Sequence, residues 1–176
     1  EHQYLAPFDY FGVFDGTDLR DLMWTRGAYQ VADLSRLYTG NQRRARVVVE
    51  QFTTRYGNWR EARALGFCVS LEHAEFMERE FVRAGVPAMA VTSRSGDEIR
   101  TKAILRLRNR EVNVLFTVDL FNEGVDVPSV DLVLMLRPTE SPVVFFQQLG
   151  RGLRRADGKA RLAVIDLVGN HRSFLL

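Results

Sequence analysis

The sequence predicts an α/β protein built on a doubly wound, mainly parallel sheet, and three observations predict it. Short, uniformly apolar runs recur along the chain, stretches of helical period lie between them, and local cap signals mark helix starts. Runs that are apolar on both faces suit strands covered on both sides. Their alternation with helices gives the crossover connections of a parallel sheet.

Residues 10–14 read as a first strand. Residues 18–38 and 41–56, rich in Arg and aromatics, read as helices. Residues 1–63 are therefore read as that strand plus a helical insertion, and residues 64–176 as the main lobe. From residue 64 the apolar runs fall at 64–69, 88–91, 112–117, 132–136 and 162–168, each short enough for a strand. Between them, Ala74, Met77, Phe81 and Val82 recur at helical spacing over 71–84, and Ile99, Ala103, Ile104 and Leu107 do so over 98–108. Ser95 and Glu98 have the spacing of a capping box, and Ser141-Pro142 sets a cap ahead of a first-turn proline.

The bulk properties bound what such a domain can be. The 176 residues, 46% hydrophobic, suffice for one core with a small subdomain. Charged residues make up 26% and sum to +2, which excludes a strongly basic mantle but leaves room for a local basic face. Only Lys102 and Lys159 are lysines among the 24 basic residues, so arginine, the better bidentate partner of phosphate, predominates. The single cysteine, Cys68, lies between Phe67 and Val69 and reads as a buried thiol. His73 and His171 have no Cys or second His at ligand spacing, so no metal site is expected. No apolar run approaches the roughly 20 residues that span a bilayer, and the chain opens without an export pattern, so a cytoplasmic protein without membrane contact is expected. An opening Glu-His-Gln without Met suggests an excised fragment.

In an open parallel sheet, ligands gather at the carboxyl ends of the strands, which directs attention to Ser70, Thr92, 119–126 and Arg137. The segment Asn122-Glu123-Gly124-Val125-Asp126-Val127-Pro128 follows an apolar run and concentrates carboxylates around a glycine. Read alone, Gly124 supplies a turn and Pro128 ends it. About twenty residues later, Gln147-Gln148-Leu149-Gly150-Arg151-Gly152-Leu153-Arg154 sets two arginines three apart, a spacing that shares one helical face and suits either an anion or, read alone, a solvated surface.

Taken together, strand, Asn-Glu-Gly-Val-Asp-Val-Pro, strand, Gln-x-x-Gly-Arg-x-x-Arg, strand resembles motifs V and VI of superfamily 2 helicases. Ala64 to Ser70 sits where their motif IV belongs. The resemblance spans about residues 64–170, and the Phe-Asn-Glu-Gly form points to bacterial DEAD/DEAH-box-like members. It implies the C-terminal RecA-like lobe of a P-loop NTPase helicase. In that family ATP with Mg²⁺ is bound mainly by an N-terminal RecA-like lobe, and the C-terminal lobe supplies arginines across the cleft. By that resemblance Arg151 and Arg154 act as arginine fingers, Gln147 couples the phosphate site to the other lobe, and Asp126 accepts from a ribose hydroxyl. Gly124 lets the backbone approach the nucleotide. Ser70, Thr92 and Thr117 fall where the family contacts nucleic acid, with DNA favoured over RNA.

Two positions depart from the family. Val118 stands where Thr commonly precedes the Asp, and the neighbouring Thr117 faces the opposite way in a strand. Thr92-Ser93 replaces His-Gly. The ATP-binding half is missing from these residues: Gly158-Lys159 is followed by Ala160, and Leu153 stands where a Walker loop begins. The fragment alone is therefore expected not to hydrolyse ATP. The alternative reading is a non-catalytic RecA-like module that binds nucleic acid or protein.

Overall fold

The structure, a computed structural model, describes residues 8–19, 22, 24–25, 28–118, 130–138 and 162–167. Its centre is a six-stranded sheet of β1 (Phe8–Val13), β4 (Ala64–Phe67), β5 (Ala88–Ala90), β6 (Val114–Thr117), β7 (Leu132–Met135) and β8 (Leu162–Leu167). The strand order is β1-β8-β7-β4-β6-β5, and every pairing in it is parallel. The doubly wound parallel sheet expected from the apolar runs is present.

Helices α1 (Val31–Tyr38), α2 (Gln42–Arg55), α3 (Leu71–Arg83) and α4 (Asp97–Arg108) supply the remaining layers. Strand alternation sorts the core onto the two faces of the sheet. On one face Ala64, Cys68, Phe116 and Leu134 meet Val48 and Phe52 of α2 and Met77 and Phe81 of α3. On the other, Leu65, Phe67, Leu115 and Val133 meet Ala103 and Leu107 of α4. Phe81 packs edge-on against both Phe52 (5.6 Å) and Phe116 (5.0 Å), tying α2, α3 and β6 together. Gly66 is the reason the Phe116 ring fits, since a Cβ there would overlap it.

Each predicted strand from 64 onward forms, trimmed at its ends where the ladder stops. The strand expected at 10–14 and the helix expected at 41–56 form as well, as β1 and α2, but residues 18–38 differ. Only Val31–Tyr38 of the helix expected over 18–38 is helical; β2 (Trp24–Thr25) pairs antiparallel with β3 (Ala28–Tyr29) ahead of it. Trp, Thr and Tyr favour extended chain, and Gly27 weakens any helix drawn through them. The capping box at Ser95 also does not form. Gly96 is the N-cap of α4 without a side-chain cap, because Ser95 Oγ instead accepts from Thr92 N at 3.1 Å. The helix start expected at Ser141-Pro142 lies outside the described residues.

The order of the strands sets where a ligand crevice opens. Connections leave β4 towards β6 and β5, whereas β7 leads on to β8, so the winding reverses between β4 and β7. Beyond the carboxyl ends of those two strands lies the switch point at which open α/β sheets take their ligands.

Candidate functional site

Ser70 follows β4 at this edge. Its Oγ accepts from His73 N (3.1 Å), capping α3, and shares a 2.6 Å hydrogen bond with Ser35 Oγ of α1. Thr92, just past β5, is buried, and its hydroxyl accepts from Arg94 N at 3.2 Å. Thr117 closes β6 in register with Phe67 of β4. It is wholly buried, and its Oγ1 has no hydrogen-bond partner among the described residues. The three predicted nucleic-acid residues are thus brought to one edge, on the adjacent strands β4, β6 and β5. Gly124, Asp126, Gln147, Arg151 and Arg154 lie outside the described residues.

The same edge holds a buried ionic cluster that the motif reading missed. Arg44 Nε donates to Asp15 Oδ2 at 2.7 Å, with both side chains 2% exposed. Its Nη2 donates to Leu136 O (3.1 Å), directly after β7, and its guanidinium lies 3.8 Å above the Tyr38 ring. Nη1 has no partner among the described residues. Leu136 in turn donates its N–H to Phe67 O (3.0 Å), so Arg44 grips the chain where the β4–β7 ladder ends. One residue on, Arg137 Nη1 donates to Val118 O (3.3 Å), the last described position before the 119–129 segment.

His73 completes the cluster. Its ring lies 5.3 Å from that of Tyr38, and its Nδ1 accepts from Val69 N (3.2 Å), which leaves the neutral ring's proton on Nε2. Nε2 has no partner among the described residues. Burial first, then the Arg44 charge, lowers His73 to about 3. Cys68 is fully buried and its thiol is pushed upward by that burial, so it is chemically quiet. Leu19, Leu34 and Tyr38 pack on Val69, seating this part of the amino-terminal third on the loop after β4.

One sequence signal could have exposed this cluster. Arg44, Val48 and Phe52 stand four residues apart, which puts an arginine on the buried stripe of α2. A charge at a core position needs a partner. Among the described residues no group of three or more His, Cys, Asp or Glu is placed to hold a metal, and no helix is long and apolar enough to cross a membrane.

Residues 39–156 match the family described as the helicase conserved C-terminal domain. The chain belongs to that family. The helicase match takes in α2, the crevice between β4 and β7, and the Gln147 to Arg154 run. The chain is 28% identical over 169 residues to a Saccharomyces cerevisiae protein named as an ATP-dependent helicase, IRC3, spanning 96% of this chain and 24% of that one. It is 30% identical over 171 residues to the 51.5 kDa protein of a Lactococcus phage, spanning 95% of this chain and 36% of that one. The chain thus covers about a quarter to a third of these relatives. Among solved structures, the Escherichia coli DEAD-box protein SrmB, crystallised with the regulator of ribonuclease activity A, aligns with a TM-score of 0.60 at 18% identity over 95% of this chain and 79% of its own. That likeness supports the RecA-like fold of this helicase domain.

Proposed function

We propose that this domain is the carboxyl-side motor lobe of an ATP-dependent nucleic-acid helicase or translocase of superfamily 2, akin to the bacterial Phe-Asn-Glu-Gly members. The observation that carries the reading is the family match over residues 39–156, which encloses the Asn-Glu-Gly-Val-Asp and Gln-x-x-Gly-Arg-x-x-Arg runs. In this reading Arg151 and Arg154 reach the phosphates of ATP held on an N-terminal RecA-like lobe and stabilise the charge that develops on hydrolysis. Gly124, Asp126 and Gln147 line the nucleotide side of the cleft. ATP and its Mg²⁺ are held chiefly by that other lobe.

Nucleic acid, with DNA preferred to RNA, is gripped through its phosphates at the switch-point edge by Ser70 and Thr92. Ser70 frees its hydroxyl by giving up Ser35. Thr117, wholly buried, backs these contacts at the head of the 119–129 segment. The division into an inserted segment over 1–63 and a motor lobe over 64–176, and a cytoplasmic setting, belong to the same reading. The test is Arg151→Ala or Arg154→Ala in the full-length protein, with nucleic-acid-stimulated ATPase as readout. A loss of about a thousandfold with retained nucleic-acid binding is expected. Near-wild-type turnover would overturn the finger assignment, and a full-length protein that binds nucleic acid without stimulated ATPase would favour a non-catalytic binding module.

A further inference from the structure

Helix α2 runs against the strands. Its first turn reaches Leu136, beyond the end of β7, and Tyr56, just past its last residue, donates to Asp131 Oδ2 (2.9 Å), just before β7 begins. The amino terminus of α2 therefore stands at the switch-point edge, beside the loop that carries Ser70. That end of a helix carries partial positive charge and favours acidic side chains. Here the first turn holds no acidic residue, and Arg43, Arg44 and Arg46 follow Asn41, whose Oδ1 accepts from Arg44 N (3.0 Å).

The three arginines are treated differently. Arg44 turns inward to Asp15, yet even there its Nη1, in a side chain only 2% exposed, has no partner among the described residues. Arg43 and Arg46 are exposed, and neither meets a carboxylate among the described residues. Three residues apart, they share one face of the helix. Two exposed cations placed against the helix dipole, behind a buried third that Asp15 pairs, raise a local positive potential at this end of α2, with Glu50 a turn farther along. Asp15 and the Tyr38 ring hold the turn that presents them.

We infer that Arg43 and Arg46 form a phosphate-binding rim for a nucleic-acid strand lying along the switch-point edge, extending the grip of Ser70 onto α2. The inference rests on the nucleic-acid reading above and adds a contact outside the motif loops. An acidic protein surface would also suit two arginines. A strand is favoured because the rim adjoins the residues proposed to hold its backbone, and because such contacts read no sequence.

The test uses the full-length protein and a short fluorescein-labelled single strand, oligo-dT with oligo-U in parallel, followed by anisotropy across a salt series. Replacing both residues, Arg43→Ser with Arg46→Ser, is expected to weaken binding about tenfold at moderate salt and to flatten the log Kd against log salt slope by about 1.4. The melting temperature should stay level or rise slightly, since two cations leave the positive end of a helix. The matched pair Arg83→Ser with Arg108→Ser removes the same charge from the ends of α3 and α4, which lead into β5 and β6 at the opposite edge, and should leave both readouts unchanged. Equal weakening by the two pairs, or wild-type affinity and slope in the α2 pair, overturns the rim and leaves the motor reading standing. A wild-type protein that binds neither strand overturns the nucleic-acid reading and the rim with it.

Discussion

The two edges of the sheet are built to different standards. At the edge where the strands begin, polar groups are matched. Asn113, 2% exposed, donates through Nδ2 to the carbonyls of Trp59 (3.3 Å), Arg60 (2.9 Å) and Ala62 (3.0 Å). Asp131 accepts from Arg63 N and from Tyr56 Oη, each at 2.9 Å, and burial together with that carboxylate pushes Tyr56 up to about 12. At the edge where the strands end, Arg44 Nη1, His73 Nε2 and Thr117 Oγ1 are buried without partners among the described residues. Leaving such groups unmatched costs free energy that a purely structural edge would avoid. The difference teaches that, among the described residues, buried polar groups are satisfied where the strands begin and left over where they end, the edge to which the proposed function assigns a ligand.

The sharpest way to break this contrast is at the buried ion pair. Arg44→Ala leaves Asp15 charged and enclosed, and should cost about 3 to 5 kcal/mol in urea unfolding. The double replacement Arg44→Met with Asp15→Leu should recover much of that loss, because it removes both desolvation costs together. If the single and double variants unfold alike, the pair is not the coupled unit its geometry describes.

A smaller contrast compares the edges directly. Asn113→Ala removes the side-chain donor to Arg60 O and Ala62 O and should cost about 2 to 3 kcal/mol, whereas Thr117→Val removes a hydroxyl unmatched among the described residues and should fall within about half a kcal/mol of neutral. Thermal denaturation of the two side by side would measure the gap. An equal cost would erase the distinction between matched and unmatched edges.

The smallest effect is a pH dependence. His73 binds its proton near 6.5 when unfolded and near 3 when folded, so between those values the unfolded chain holds more protons and stability falls as pH falls. The loss from pH 6.5 to pH 5 should be about 2 kcal/mol, read by urea midpoints at each pH. His73→Asn, whose Oδ1 can accept from Val69 N, should flatten that slope. A wild-type midpoint that does not move over this window would show that His73 is solvated.

The fold was legible because burial writes itself into sequence as period. The runs at 64–69, 112–117 and 132–136 are apolar on both faces, and the strands they became are buried throughout. The Ser70 cap of α3 was just as local but went unread. The hairpin of β2 and β3 escaped because aromatic residues can serve a helix face or an extended pair alike, and tertiary context decided. The site was legible only in part. The rule that ligands sit past strand ends pointed to Ser70 and Thr92, and the family resemblance pointed to Thr117. The Arg44 cluster was not, since Asp15, Tyr38, Arg44, His73 and Leu136 come from five separate stretches and meet only when the sheet is assembled.

That assembly has an order imposed by the chain itself. β1 lies at one margin of the sheet with β8 as its partner, Phe8 against Leu162 through Val13 against Leu167. The first described strand therefore has no neighbour to join until nearly all the described chain has been made. A nascent chain leaving the ribosome must hold a six-residue strand carrying Phe8, Tyr10, Phe11 and Val13 unpaired while β4 to β7 fold beside it. Contacts this distant in sequence close slowly and leave the waiting strand open to wrong partners. Docking of β1 is thus the expected last step of folding, and because Asp15 lies two residues past β1, the buried ion pair at the edge where the strands end is completed only with that step.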